Sequence, residues 1–192
     1  MSDLVRTTHT LAPTGKLGSL ASLHKAPFLV LDISSSMRDP IEGSFRRIDR
    51  LREIVATLHQ KGADFRQIVF SDSPHETTTV PEPQGGTNLS SAIAMALDNY
   101  ATKIAVVSDG EPNSEEAAMA EARRAKDMGV MIDVMFCGQP GSRGEAFLKE
   151  LAQATGGTGE TVDFSDEPDQ LTGKTMLMLG DGSEATKGPI IL

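Results

Sequence analysis

Oxygen-bearing side chains are concentrated in three short segments of this sequence. They are Asp32-Ile33-Ser34-Ser35-Ser36, Gly85-Gly86-Thr87-Asn88 and Ser108-Asp109-Gly110-Glu111. Carboxylates and hydroxyls are hard donors, the kind that a small hard cation such as Mg²⁺ or Mn²⁺ prefers. The residue types therefore indicate a divalent-cation site, provided that the fold brings the three segments together.

The spacing within these segments agrees with such a site. A D-x-S-x-S pattern aims Asp32, Ser34 and Ser36 at one point if the loop that contains them curls tightly. The two glycines before Thr87 allow its backbone to approach closely. Mg²⁺ gives up bound water reluctantly, so we expect some of these groups to act through water. One coordination position can then stay open for an oxygen from outside the chain.

Strand-like and helix-like stretches alternate along the chain and must position these segments. Strands are predicted for residues 28–32, 67–70, 104–107, 130–136 and 159–164, and helices for residues 48–60, 89–100, 115–128, 144–155 and 168–179. Such alternation predicts a doubly wound α/β fold with a mostly parallel sheet and helices on both faces. Ligands of such sheets bind outside the carboxyl ends of the strands, where the three segments are expected to converge.

Three further predictions concern the edges of the fold. Residues 77–80, Thr-Thr-Thr-Val before Pro81, are β-branched and polar, which is typical of an edge strand. Residues 1–26 have no sustained period and are interpreted as an arm or a lead-in strand. The domain itself is assigned to residues 27–179, and residues 180–192 are interpreted as a tail.

Composition restricts the classes of partner. The 192 residues suit one domain, and 18 Lys and Arg against 27 Asp and Glu give a net charge of −9. An acidic chain repels phosphate backbones and anionic lipid, so no nucleic acid and no membrane surface is expected as a partner. Cys137 is the only cysteine, which excludes an internal disulfide. Because residues 1–11 lack a secretion signal, we expect a cytoplasmic protein.

The three segments in this order resemble the metal-ion-dependent adhesion site of von Willebrand factor A (VWA) domains. The resemblance covers roughly Ala26 to Leu179 and includes the order of the elements. It implies a Rossmann-like fold with one antiparallel edge strand. It also implies a divalent cation at the top of the sheet that captures a carboxylate of a partner protein. Members of the family often have glycine between the two serines, where this chain has Ser35.

The resemblance also implies a role for each site residue. Ser34, Ser36 and Thr87 would be hydroxyl ligands of Mg²⁺, Mn²⁺ or Ca²⁺. Asp32 and Asp109 would act mainly through water, or one of them directly. Compact intracellular members of the family commonly work beside AAA+ ATPases or in stress, metal-resistance and phage-related assemblies, which suggests a partner of that kind.

The leading interpretation is a non-enzymatic interaction module, and two alternatives remain open. The first is a metal-assisted phosphohydrolase with Asp32 as nucleophile. Enzymes of that kind need a second carboxylate two residues later, where this chain has Ser34. The second alternative is a structural assembly subunit whose metal site is vestigial.

Overall fold

The structure is a computed structural model that describes residues 25–180. Residues 1–24 and 181–192 are outside this range, and with them nearly all of the arm and tail proposed from the sequence. The strands are β1 Phe28–Asp32, β2 Pro40–Glu42, β3 Phe45–Arg46, β4 Arg66–Phe70, β5 Pro74–Glu76, β6 Lys103–Ser108, β7 Met131–Phe136 and β8 Gly159–Thr161. The α-helices are α1 Arg47–Gln60, α2 Leu89–Asp98, α3 Glu115–Asp127, α4 Arg143–Thr155 and α5 Pro168–Leu179.

Six strands form one sheet in the order β5-β4-β1-β6-β7-β8. All neighbours in this sheet pair in parallel except β4 and β5, which are antiparallel. In the register, Asp32 pairs with Phe70 of β4, and Leu31 pairs with Val107 of β6. The ends of β1 and β6 therefore lie side by side, as the doubly wound prediction requires. The mostly parallel α/β architecture expected from the sequence is confirmed.

The sheet has an apolar core on each face because it is covered by helices on both sides. Alternate residues of β1 point to opposite faces, so Phe28 and Val30 belong to one cluster and Leu29 and Leu31 to the other. Helices α2, α3 and α4 supply the first cluster, whereas α1 and α5 supply the second. All five residues of β1 are buried, which agrees with the continuous apolar run formed by the first four of them.

Local signals fix the ends of several helices. The hydroxyls of Ser114 and Ser142 accept hydrogen bonds from the backbone N–H groups of Ala117 and Glu145, which caps α3 and α4. Pro168 occupies the first turn of α5, a position that needs no N–H donor. Within residues 25–180, every helix is too short or too polar to cross a bilayer.

The location of the edge strand is a correction to the sequence prediction. Residues 77–80 form no strand; the edge strand is β5, whose His75 pairs with Val69 of β4. A short turn after β4 brings β5 back beside it. Pairing ends at Thr77, whose hydroxyl accepts a hydrogen bond from the N–H of Thr79 at 3.2 Å. That local bond uses the Thr79 N–H that strand pairing would need, and residues 77–80 form no strand despite the β propensity of the threonines.

A hairpin and a 3₁₀ turn that the sequence did not predict connect β1 to α1. The 3₁₀ turn spans Ser35–Arg38, and β2 and β3 then form a separate two-stranded sheet. Gly43 has a φ of +56° between these strands, a conformation that favours glycine. The hairpin feeds directly into α1 and places the first residue of that helix beside the carboxyl ends of the central strands.

Candidate metal centre

Asp32 is the innermost carboxylate of the candidate centre. It ends β1 and has 0% of its surface exposed. Its Oδ1 accepts the backbone N–H of Ser34 at 2.7 Å, and its Oδ2 accepts the hydroxyl of Ser108 at 2.6 Å. The first bond closes a local turn, because an aspartate side chain readily accepts the backbone N–H of the residue two positions later. It curls the loop after β1, which is the condition under which the D-x-S-x-S spacing aims its side chains at one point.

A chain of hydroxyl groups connects this loop to the end of β6. The Ser36 hydroxyl donates to Oδ1 of Asp109 at 2.7 Å, and it lies 3.0 Å from the Ser34 hydroxyl. A hydroxyl has one proton to donate, so Ser34 must donate to Ser36 in this second contact. Asp32, Ser34, Ser36 and Asp109 therefore lie in one cluster, although 73 residues separate Ser36 from Asp109.

Thr87 is brought to the same end of the sheet through its backbone. The carbonyl of Gly85 accepts both the backbone N–H and the hydroxyl of Ser35, at 3.2 and 3.0 Å. On its other side, the backbone N–H of Thr87 donates to the side-chain Oδ1 of Asn113 at 2.9 Å, and the backbone N–H of Asn113 donates to the carbonyl of Thr87 at 2.8 Å. Within residues 25–180, no recorded hydrogen bond joins the Thr87 side chain to the Ser34–Ser36–Asp109 chain.

The glycines before Thr87 allow a close packing that another residue would prevent. A Cβ at Gly85 would lie 2.3 Å from Oδ2 of Asp72, and Gly85 has a φ of +66°. The N–H of Gly86 donates to the other oxygen of Asp72 at 2.8 Å. Asp72 follows β4, so the strand next to β1 positions the loop that contains Thr87.

A positive charge also contacts the cluster. Arg47, the first residue of α1, donates from Nη1 to Oδ2 of Asp109 at 3.0 Å. The same nitrogen donates to Oδ2 of Asp39 at 3.0 Å and to the carbonyl of Ser36 at 3.2 Å. Asp109 is therefore paired with a cation, whereas the recorded bonds to Asp32 come from neutral groups.

Burial controls the electrostatics of the two carboxyls. Burial, followed by the negative charge of Asp109, raises the pKa of Asp32 from 3.8 to about 6, against the lowering effect of Ser108 and Ser34. Burial likewise raises the pKa of Asp109, while Ser36 and Arg47 act to lower it. The raised values mean that the negative charges are under-compensated by the protein groups around them.

The donor set fits a hard divalent cation. Two buried carboxylates and neutral hydroxyls face one another, and a cation would offset the cost of the buried charge on Asp32. The described residues contain no group of three or more His, Cys, Asp or Glu side chains that could bind a metal. Cys137 is buried, and its thiol pKa is raised well above the usual value by burial. The described residues therefore provide neither a thiolate metal site nor a site with several histidines.

Four residues that shape the centre were not predicted as parts of it. Ser108 lies in a segment singled out from the sequence, but its hydrogen bond to Asp32 depends on the pairing of β1 with β6. Asp72 and Asn113 support the loop before α2 from two other loops. Arg47 arrives through an unpredicted hairpin, and no spacing in the sequence marks it. In the sequence, Ser108 directly follows an apolar strand-like run just as Asp32 ends one, and this shared position is the signal that could have been used.

Comparisons with known proteins identify the fold. No protein-family model matches the sequence, and no curated protein matches it either. Among solved structures, a von Willebrand factor type A protein from Catenulispora acidiphila is similar with a TM-score of 0.63 and 14% identity. The match covers 81% of this chain and 42% of that one. This chain thus spans less than half of the Catenulispora protein.

Two further structures extend the comparison. The SpRpn10 VWA domain matches with a TM-score of 0.58 and 16% identity, over 81% of this chain and 97% of that one. The proximal thread matrix protein 1 from the mussel byssus, with a zinc-occupied metal-ion-dependent adhesion site (MIDAS) motif, has a TM-score of 0.57 and 16% identity. That match covers 80% of this chain and 45% of the mussel protein. Residues 25–180 therefore adopt a VWA-like fold.

Proposed function

We propose that this chain is a non-enzymatic interaction module that binds a divalent cation, Mg²⁺ or else Mn²⁺ or Ca²⁺, at the carboxyl ends of β1 and β6. Asp32, Ser34, Ser36, Thr87 and Asp109 would hold the cation, directly or through water. The single observation that carries the proposal is the convergence of two buried carboxylates and two serine hydroxyls from distant parts of the chain. A solved structure of the same fold with a zinc-occupied MIDAS motif supports it.

The partner would be a protein that offers an aspartate or glutamate. When bound, the cation supplies an electrophilic position that accepts a carboxylate oxygen. The chain's own residues limit how far that charge is neutralised, since the serine hydroxyls are uncharged and Asp109 already pairs with Arg47. The resemblance further suggests an AAA+ ATPase or a larger intracellular assembly as the partner, and we include this in the proposal.

The environment of Asp32 argues against the phosphohydrolase alternative. A nucleophilic carboxylate needs an oxygen that can reach the substrate. Asp32 has no exposed surface, and each of its oxygens already accepts a hydrogen bond. Ser34 also stands where the second carboxylate of such enzymes would be. Turnover of p-nitrophenyl phosphate with Mg²⁺ that disappears in Asp32→Ala would overturn the non-enzymatic proposal.

Metal binding can be tested by comparing substitutions at two neighbouring serines, Ser34 and Ser35. We expect isothermal titration with Mn²⁺ to show binding to the wild type that is abolished in the double variant Asp32→Ala/Ser34→Ala. Ser35→Ala is the matched control, because the Ser35 hydroxyl bonds to the Gly85 carbonyl and is not a proposed ligand. Equal binding by the wild type and the double variant would contradict the proposed ligand set.

Partner capture needs a separate experiment. The immobilised protein is incubated with native extract in Mg²⁺, then washed with chelator, and the released proteins are compared with those from an Asp109→Ala column. Proteins that require both Mg²⁺ and Asp109 support carboxylate capture. A set of partners that is the same with chelator and with Asp109→Ala would instead favour the structural subunit with a vestigial site.

A further inference from the structure

Arg47 places a fixed positive charge against the candidate metal centre. Its Nη1 lies 3.0 Å from Oδ2 of Asp109, whose side chain has 0% exposure, while 21% of the Arg47 side chain is exposed. The planar guanidinium is a cation that suits carboxylate pairing. The contact is therefore an ion pair with a side chain that the proposed function assigns to the divalent cation.

Both oxygens of Asp109 are occupied in the structure. Oδ1 accepts the hydroxyl of Ser36, and Oδ2 accepts Arg47. A divalent cation that interacts with the Asp109 carboxylate must share its negative charge with the guanidinium of Arg47. Asp32 differs, because its recorded hydrogen bonds come from the uncharged groups of Ser34 and Ser108.

The backbone keeps Arg47 in this position. Its N–H donates to the carbonyl of Asp39 at 3.1 Å, and its guanidinium also bonds to the Asp39 carboxylate. The helix that it begins is anchored by side chains that are fully buried on the sheet, among them Ile48 and Leu51. The guanidinium thus bonds to the Ser36 carbonyl and the Asp39 carboxylate, while the helix that begins at Arg47 is anchored in the core.

We propose that Arg47 is an internal counter-ion that weakens divalent-cation binding by neutralising Asp109, so that the centre exchanges its cation readily. This inference rests on the proposed function and concerns the strength of cation binding at the same site. Removing the guanidinium leaves Asp109 buried and uncompensated until a divalent cation binds. The two cations therefore compete for one carboxylate.

The test compares Arg47→Gln with the wild type by isothermal titration with Mn²⁺. Loss of one positive charge near a divalent ion should lower the dissociation constant by about tenfold. Arg47→Lys keeps the charge but not the planar fork, so its affinity should fall between those of the wild type and Arg47→Gln. Arg50→Gln is the matched control on the same helix, because Arg50 bonds to the Phe164 carbonyl and to Glu53.

A second measurement, thermal unfolding with and without Mn²⁺, separates a change in metal affinity from a loss of folding stability in the variant. In chelator, Arg47→Gln should unfold at a lower temperature than the wild type. Saturating Mn²⁺ should raise the unfolding temperature of Arg47→Gln by more than it raises that of the wild type. Equal or weaker Mn²⁺ binding by Arg47→Gln, or a smaller thermal shift, would overturn the counter-ion role and leave the proposed function intact. Absence of Mn²⁺ binding by both proteins would overturn the two together.

Discussion

Replacing Asp32 by asparagine should stabilise the metal-free protein at neutral pH and abolish its stabilisation by a divalent cation. Burial and the charge of Asp109 raise the pKa of Asp32 from 3.8 to about 6. The folded chain thus binds this proton more tightly than the unfolded chain does. The resulting stabilisation is complete below about pH 4 and is lost as the pH rises through about 6.

The size of the effect follows from that difference in pKa. A difference of about two pKa units corresponds to roughly 3 kcal/mol of unfolding free energy at a pH above both values. The amide oxygen of asparagine can still accept the N–H of Ser34. The amide nitrogen would face Ser108, whose hydroxyl can accept instead of donating. In chelator at pH 7.5 we therefore expect Asp32→Asn to be more stable than the wild type by about 2–3 kcal/mol.

Urea unfolding followed by circular dichroism measures this difference. The two proteins are compared in chelator at pH 4 and pH 7.5. The gain in unfolding free energy of Asp32→Asn over the wild type should be small at pH 4 and large at pH 7.5. The comparison is then repeated at pH 7.5 with Mn²⁺. Asp169→Asn is the control, because it makes the same change of charge at a side chain that is 85% exposed. If Asp32→Asn is the less stable protein at pH 7.5 in chelator, the reasoning from burial is refuted.

Three other predictions concern packing, accessibility and helix capping. Gly138→Ala should destabilise the protein by about 2 kcal/mol or more, because a Cβ there would lie 2.1 Å from the carbonyl oxygen of Asp109. Gly173→Ala, which would place its Cβ in open space on α5, should instead stabilise the protein by up to about 1 kcal/mol. Thermal unfolding measures both effects, and equal effects of the two substitutions would contradict the prediction. Cys137, which is 5% exposed and has a raised thiol pKa, should react with a disulfide reagent far more slowly in the native protein than in urea, and equal rates would show that it is accessible. Ser114→Ala should reduce the unfolding free energy by about 1 kcal/mol through loss of the N-cap of α3, and an unchanged urea midpoint would argue against that cap.

Much of the fold could be predicted because its strongest signals are local. The apolar run of β1 and the helical spacing of Ile48, Leu51, Val55 and Leu58 are visible without any tertiary information, and the structure has both elements. The edge strand was misplaced for the opposite reason. The residues that pair with β4 are Pro74–Glu76, which have weak β propensity and pair because a turn returns them to a strand that is already in place.

The donor chemistry of the candidate centre could be predicted from the sequence, since the types and spacing of Asp32, Ser34 and Ser36 already indicate oxygen donors at a strand end. The charges that surround those donors depend on the tertiary structure and could not be predicted in this way. The bond from Ser108 to Asp32 depends on the register of two strands, and the contact of Arg47 with Asp109 depends on a hairpin and a helix start. Electrostatic environment is set by groups distant along the chain that burial brings within hydrogen-bond reach, and no local pattern encodes that.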